Sequence, residues 1–330
     1  MQHKDNAGKA LLAKWAFAAV AAVVVAALPA VFSACGGNGG VKTVKVSGAY
    51  ALYPMMTKWV EEYKKIRPDV TIEVSGGGAG KGMADTLAGV VDLGMVSREV
   101  KPEEVSRGAV FVSVTEDAVV PTINAGNPVL AKIKTRGVTR EEFVKIFITR
   151  EIGTWGELVG EPAVQDRIKV YTRADSCGAA ETWAKYLGDY TQEDLTGAAD
   201  AGIMNDPDLA AAVKNDVFAI GYNNINFAYD VKTGKNVAGV AVAPIDLDGN
   251  GRIDAAEDFY GNQTKLLEAI ADDVYPSPPA RDLNVVAKDA FEGEAAAFVK
   301  WILTDGQQYV PASGYIPLPP QKIAAQLEKL

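Results

Sequence analysis

Short strand-like runs and longer segments with apolar residues at helical spacing alternate along this chain. Thr43 to Val46 reads as a strand. Pro54 opens an amphipathic helix running to Lys65, with Met55, Met56, Trp59, Val60 and Tyr63 on one face, and Pro68 ends it. Val70 to Val74 is the next strand, and a glycine-rich turn, 76–82, leads into a helix over 83–88. Val91 to Val96 is strand-like again. This order predicts a mostly parallel sheet with helices on its faces. Ala118 to Ile123 is an apolar strand able to carry the chain into a second lobe. There a helix over 140–148, a strand over 168–171, a helix over 179–187 and a strand over 217–222 follow. A return segment, 283–287, precedes a helix over 293–303.

The longest apolar run, Trp15 to Phe32, has a different meaning. Lys4, Lys9 and Lys14 precede it, and Ser33, Ala34 and Cys35 follow, which is the layout of a secretory signal. Phe32 to Cys35 resembles a bacterial lipobox. Residues 1–34 are therefore expected to be a lipoprotein signal peptide, Cys35 the lipid-bearing residue, and 35–40 a glycine-rich tether. An uncleaved membrane anchor is the alternative, and both place the bulk of the protein outside the cytoplasm. Cys177 is the other of two cysteines, so acylation of Cys35 leaves no intramolecular disulfide.

Composition narrows the chemistry. The 330 residues are 48% hydrophobic, enough to bury two cores of ordinary domain size. Net charge is -9 and no dense Lys/Arg stretch occurs, which excludes binding to nucleic-acid phosphates. The single histidine, His3, lies in the leader. Mechanisms that need a histidine base are thereby excluded, and an enzyme is not expected.

Three strand-to-helix junctions are rich in small residues: 47–54, 75–82 and 172–179. Helix N-termini carry unpaired N–H groups and partial positive charge, so such junctions suit an anion. The second lacks the Lys-Ser/Thr ending of a nucleotide loop, since Gly82 follows Lys81. In the third, Arg173 is placed to grip an oxyanion with two N–H groups, or to form a salt bridge with Asp175. Ser97 and Arg98 add a hydroxyl and a cation. A nucleophilic role for Cys177 is disfavoured, because its arginine precedes it and no histidine base exists.

Residues 246–257 carry a separate signal. Asp246, Asp248, Asn250, Asp254 and Glu257 occupy positions 1, 3, 5, 9 and 12 of an EF-hand calcium loop, with Gly251 at position 6. Arg252 would offer its carbonyl. The preceding segment, 237–245, looks extended rather than helical, so a lone structural calcium clip is expected.

Together the three junctions resemble phosphate-binding proteins of ABC importers. The first corresponds to the family's Gly-Ala-x-x-x-x-Pro opening, the second to its glycine-rich turn, and the third to Arg-x-Asp-x-Ser-Gly-Thr. Ile220-Gly221-Tyr222 and the segment from Thr139 to Trp155 match as well, and the resemblance covers nearly the whole chain after the leader. It implies an α/β, two-lobed periplasmic-binding-protein fold of type 2 with two interlobe crossovers. Lobe one would span 41–117 and 282–330, and lobe two 118–281 with the calcium loop. Junctions and resemblance assign anion binding to Ala51, Leu52, Tyr53, Ala79, Gly80, Ser97, Arg98, Arg173, Cys177, Gly178 and Ala179. The implied partners are phosphate, an ABC permease and, through the lipid, a membrane; a monomer is expected.

Three positions depart from the family. Cys177 replaces a ligand-binding serine, Ala179 a threonine, and Ser97 a carboxylate that accepts the proton of hydrogen phosphate. Sulfate, molybdate or tungstate therefore stay open as ligands, as does a non-transport anion sensor on the same fold. In a bacterial host the full chain should incorporate labelled palmitate, and Cys35→Ala should abolish the label; unchanged labelling would refute acylation at Cys35.

Overall fold

The computed structural model describes residues 42–330; the leader, Cys35 and the tether lie outside them. Among the described residues, nine strands form one curled sheet: β1 (Lys42–Gly48), β2 (Val70–Gly76), β3 (Leu93–Val96), β4 (Ala109–Asn124), β5 (Lys169–Arg173), β6 (Ala201–Ile203), β7 (Ala219–Asn224), β8 (Val240–Val242) and β9 (Ala280–Lys288). The order is β2-β1-β3-β9-β4-β7-β5-β6, with β8 on β4.

The expectation of a mostly parallel sheet holds only at the two ends. β1 is parallel to β2 and β3, and β5 is parallel to β6 and β7. The middle is antiparallel: β9 pairs with β3 and β4, and β4 pairs with β7 and β8. Local sequence shows helical crossovers within a lobe. It does not show which strands meet when the chain leaves a lobe and returns.

Two hydrophobic cores flank this middle. One gathers Trp59, Tyr63, Phe298 and Trp301 with the strands before Thr115 and after Asp282. The rings of Tyr63 and Phe298 lie 5.0 Å apart. The other gathers Phe143, Phe147, Trp183 and Tyr222, with Trp183 5.2 Å from Phe143 and 5.6 Å from Phe147. All four are fully buried, and truncating a core aromatic to alanine typically costs about 3–5 kcal/mol. The fold is the α/β, two-lobed architecture, with β4 and β9 running through both lobes.

Those two strands are tied where they cross. Asp117 and Arg281 are register partners. Their side chains form an ion pair at 2.9 Å, 1% and 7% exposed. Arg281 also reaches into lobe two, donating to the Thr182 hydroxyl at 3.0 Å and to the Asn224 side-chain carbonyl.

The helix Gly293–Leu303 starts and ends where the sequence places it, and that of Tyr53–Ile66 differs by one residue at each end. The second glycine-rich junction turns into a helix earlier than expected, at Ala79 rather than Met83. Gly80 and Gly82 are tolerated there because the helix presses against backbone: a Cβ on Gly82 would lie 2.6 Å from the Met95 carbonyl oxygen.

Candidate functional site

The three junctions converge across the gap between the lobes. β1 and β2 feed the helices Tyr53–Ile66 and Ala79–Leu87 on one side, and β5 feeds the helix Gly178–Leu187 on the other. The Gly80 amide lies 3.3 Å from the Ser176 carbonyl oxygen. A Cβ on Gly78 would stand 2.6 Å from that oxygen and 3.1 Å from Asp175 Oδ2; one on Gly178 would overlap the carbonyl and hydroxyl oxygens of Ser97. Glycine at these positions lets two helix starts approach the opposite lobe at backbone distance.

The helix starts differ in what they leave free. The helix Ala79–Leu87 has Gly78 as its cap, with φ of 85° and no side-chain acceptor; the Gly80 amide donates instead to the Ser176 carbonyl of the other lobe, so this expected anion-binding group is engaged across the gap. In the helix Gly178–Leu187 the Cys177 sulfur accepts from the Ala180 amide at 3.4 Å, and the amides of Gly178 and Ala179 precede the first intrahelical bond. At the first junction the Leu52 and Tyr53 amides close short turns, to the carbonyls of Ala49 at 3.1 Å and Tyr50 at 3.2 Å. The Ala51 carbonyl accepts from Tyr315 at 2.7 Å. Two of the three first-junction groups expected to face the anion are thus engaged locally.

Arg173 is fully buried. Its Nε and Nη2 donate to Asp175 at 2.7 and 2.6 Å, the salt bridge that the sequence offers as an alternative to anion binding. Nη1 lies 2.7 Å from Asp206 Oδ2, but at an angle that leaves this nitrogen without a hydrogen-bond partner. Asp206 is 2% exposed and its Oδ1 accepts from Asn224 at 2.6 Å. Burial pushes the Asp206 carboxyl above its ordinary range, and Arg173 opposes that shift. Arg173 is desolvated yet held charged by the two acids beside it.

Arg98 requires a correction. Its guanidinium does not point into the convergence. It donates to Glu104 at 2.8 and 2.7 Å, and its Nε lies 3.2 Å from Glu181 of the other lobe. The helix Pro102–Ser106 explains this, because its capping geometry turns Glu104 back toward residues 98–101. Ser97, by contrast, is buried against Gly178. Lys81 is drawn to Asp85, which also accepts from Ser47 at 2.7 Å.

Residues without a motif complete the site. Gln192 donates to the Asp175 carbonyl at 2.7 Å and accepts from the Cys177 amide at 3.3 Å, bracing the third junction from a neighbouring helix. Asp206 follows Asn205, whose side chain caps the helix Asp206–Asn215. Asn-Asp-Pro reads as a helix start, but nothing in that spacing names Arg173 as its partner.

The loop 246–257 gathers part of its acidic set. Carboxylate oxygens of Asp246, Asp248 and Glu257 lie within 4.8 Å of one another. Asp246 accepts from the amides of Gly249 and Gly251, both at 2.9 Å, where these glycines take φ of 74° and 80°. Asn250 and Asp254 are joined at 2.9 Å, while the Arg252 side chain turns outward to Asp254. Neither flank is an EF-hand helix: β8 and Ile245 precede the loop, and turns follow until the helix Gln263–Ala271.

Two lobes joined by paired strands, with helix starts from both and a buried arginine at their meeting point, define a binding protein of the two-lobed class. The chain belongs to the PBP superfamily, whose domain matches residues 33–306. It is 26% identical to the phosphate-binding protein PstS of Methanocaldococcus jannaschii, over 84% of this chain and 82% of that one. It is 25% identical to the phosphate-binding protein PstS of Pseudomonas aeruginosa, over 95% and 94% of the two chains. Its fold matches, with a TM-score of 0.68 and 24% identity, a phosphate ABC transporter substrate-binding protein from Clostridium perfringens solved with bound phosphate. That match covers 84% of this chain and all of the other.

Cys177 provides a test of the site's chemistry. Burial pushes its thiol up to about 12, outweighing the pull of Arg173. In the native protein at pH 8 it should resist an aromatic disulfide reagent and react on unfolding in guanidinium. Rapid native labelling would contradict this. The folded thiol keeps its proton longer than the unfolded one, so its contribution to stability is intact below about 9 and lost as pH rises toward 12. Cys177→Ser should flatten the stability profile in that window.

Proposed function

We propose that this chain is the substrate-capturing component of an ABC-type importer and that its ligand is a small oxyanion, phosphate first. The observation that carries the reading is the meeting of glycine-rich helix starts from both lobes beside the fully buried Arg173. An anion there would gain from N–H groups and helix dipoles of each lobe, and its charge would favour the closed arrangement. The relatives named as phosphate-binding proteins support phosphate as the first choice. A protonated, buried Cys177 supports capture without chemistry on the ligand. The leader and Cys35 support a lipid-anchored protein outside the cytoplasm, delivering its ligand to a permease.

Titration calorimetry against phosphate, sulfate, molybdate and tungstate tests the ligand. A charge-assisted contact is worth roughly 1.5–3 kcal/mol, so Arg173→Ala should weaken phosphate binding about tenfold or more. Arg173→Lys keeps the charge that Asp175 and Asp206 require and should be milder. Wild-type protein that binds none of the four anions would overturn the oxyanion reading.

We further infer that 246–257 binds calcium as a structural clip. Asp246, Asp248, Asn250, Asp254 and Glu257 would supply hard side-chain oxygens and Arg252 its carbonyl. The loop is stitched to lobe two: the Ile253 amide donates to the Thr135 carbonyl at 2.8 Å, and that of Asp246 to the Val138 carbonyl at 3.1 Å. Calcium should raise the melting temperature and chelator lower it, and Glu257→Gln should remove the difference while phosphate affinity stays within about twofold. Identical melting curves with calcium and with chelator would reject the clip.

A further inference from the structure

We propose that Asp206 is a positioning residue for anion capture: it holds Arg173 and links it, through Asn224, to the Arg281–Asp117 pair on the two crossover strands. This rests on the oxyanion reading above. The linkage is a continuous buried chain. Arg173 Nη1 lies 2.7 Å from Asp206 Oδ2. Asp206 Oδ1 accepts from Asn224 at 2.6 Å, and the Asn224 carbonyl accepts from Arg281. Arg281 pairs with Asp117 at 2.9 Å. No side chain in the chain is more than 7% exposed.

Each link has a physical reason to persist. A buried guanidinium or carboxylate stripped of one partner leaves an uncompensated charge, which costs far more than an exposed pair gains. Asn224 is suited to the middle, because its amide donates to Asp206 while its carbonyl accepts from Arg281, so one side chain joins two charged groups of opposite sign. The Asn223 amide adds a bond to the Asp206 carbonyl at 3.3 Å, fixing the helix start that carries the acid. Asp175 holds Arg173 from one side by two bonds; Asp206 holds it from the other and fixes its remaining rotation.

The chain also reaches the place where lobe two joins the crossovers. Asp117 and Arg281 are paired residues of β4 and β9, and Arg281 simultaneously grips Thr182, on the helix whose N-terminus is the third junction. Arg173 and that helix start are therefore referenced to one residue on a crossover strand. A change in their relative placement must break or stretch a buried charged bond.

Two views of Asp206 give opposite expectations. If it acts only as a fixed negative charge, neutralising it makes the site more positive, and phosphate should bind more tightly. If it positions Arg173, neutralising it frees the guanidinium, and phosphate should bind more weakly. Inorganic phosphate is titrated into the full chain, with melting temperature followed in parallel. Asp206→Asn removes the buried ion pair with Nη1 and should weaken phosphate binding roughly tenfold, and Asp206→Glu should recover part of that loss. Asn224→Ala removes no charge and no hydrogen bond to Arg173, yet it should weaken phosphate binding by about threefold or more. The double variant should bind no worse than Asp206→Asn to within about twofold, because both changes cut one chain.

Unchanged or tighter phosphate binding in Asp206→Asn overturns the proposal. So does a double variant whose losses multiply, since the two residues would then act independently. If Asp206→Asn does not fold, Asn224→Ala decides alone: wild-type affinity in that variant overturns the link. Failure of the wild-type chain to bind phosphate or any of the other oxyanions would overturn the parent reading. Binding by wild type with an indifferent Asp206→Asn overturns this proposal and leaves the parent reading standing.

Discussion

A permanently charged guanidinium with no contact to solvent constrains everything around Arg173. Such a group is tolerated only where acids and carbonyls take over the work of water. Asp175 is supplied two residues on, and Asp206 comes from a helix 33 residues away in sequence. Keeping that helix in place requires the Asn205 cap and the bonds from Asn223 and Asn224. The end of β7, the start of the helix Asp206–Asn215 and the end of β5 therefore form one charged unit. The same guanidinium is the strongest reason to expect an anion there, because Nε and Nη2 are taken by the Asp175 carboxylate while Nη1, beside Asp206, is left without a hydrogen bond.

Approach of the lobes depends on a second constraint, the absence of side chains. At Gly78, Gly80 and Gly178 the opposite lobe's backbone or Ser176 side chain occupies the space of a Cβ. Charged pairs line the neighbouring rim: Arg98 and Lys101 with Glu181, and Lys185 with Glu99. The exposed Lys185–Glu99 pair contributes little in water. The buried Arg98 is different, since Glu104 already satisfies it within lobe one and Glu181 is added from lobe two. Arg98 thus belongs to the contact between lobes, which is why it does not turn toward the junctions.

The antiparallel middle of the sheet unites these features. β4 is a single strand of 16 residues that leaves one core and enters the other, with β9 beside it. Its register shifts between Ser113 and Thr115, just before the two cores separate. Asp117 and Arg281 sit beyond that irregularity, where a buried ion pair can serve both strands and, through Arg281, lobe two. A cleft of about 1410 Å³ opens along this region, lined by Arg98, Glu181, Arg281 and Asn284 among others.

Much of this is legible in the sequence. Helices such as Gly293–Leu303 follow from local apolar spacing, and the three junctions follow from small residues after apolar runs, because both are properties of a few consecutive residues. The 246–257 loop is legible for the same reason: its geometry is set within twelve residues. What only the tertiary structure decided involves residues distant in the chain. The antiparallel pairing of β4 and β9 joins segments more than 150 residues apart. The orientation of Arg98 toward Glu181, and the assembly of Asp206, Asn224 and Arg281 around Arg173, depend on which side chains meet in space once water is excluded. Sequence spacing carries no trace of that, because a buried charge selects its partner by proximity and desolvation rather than by position in the chain.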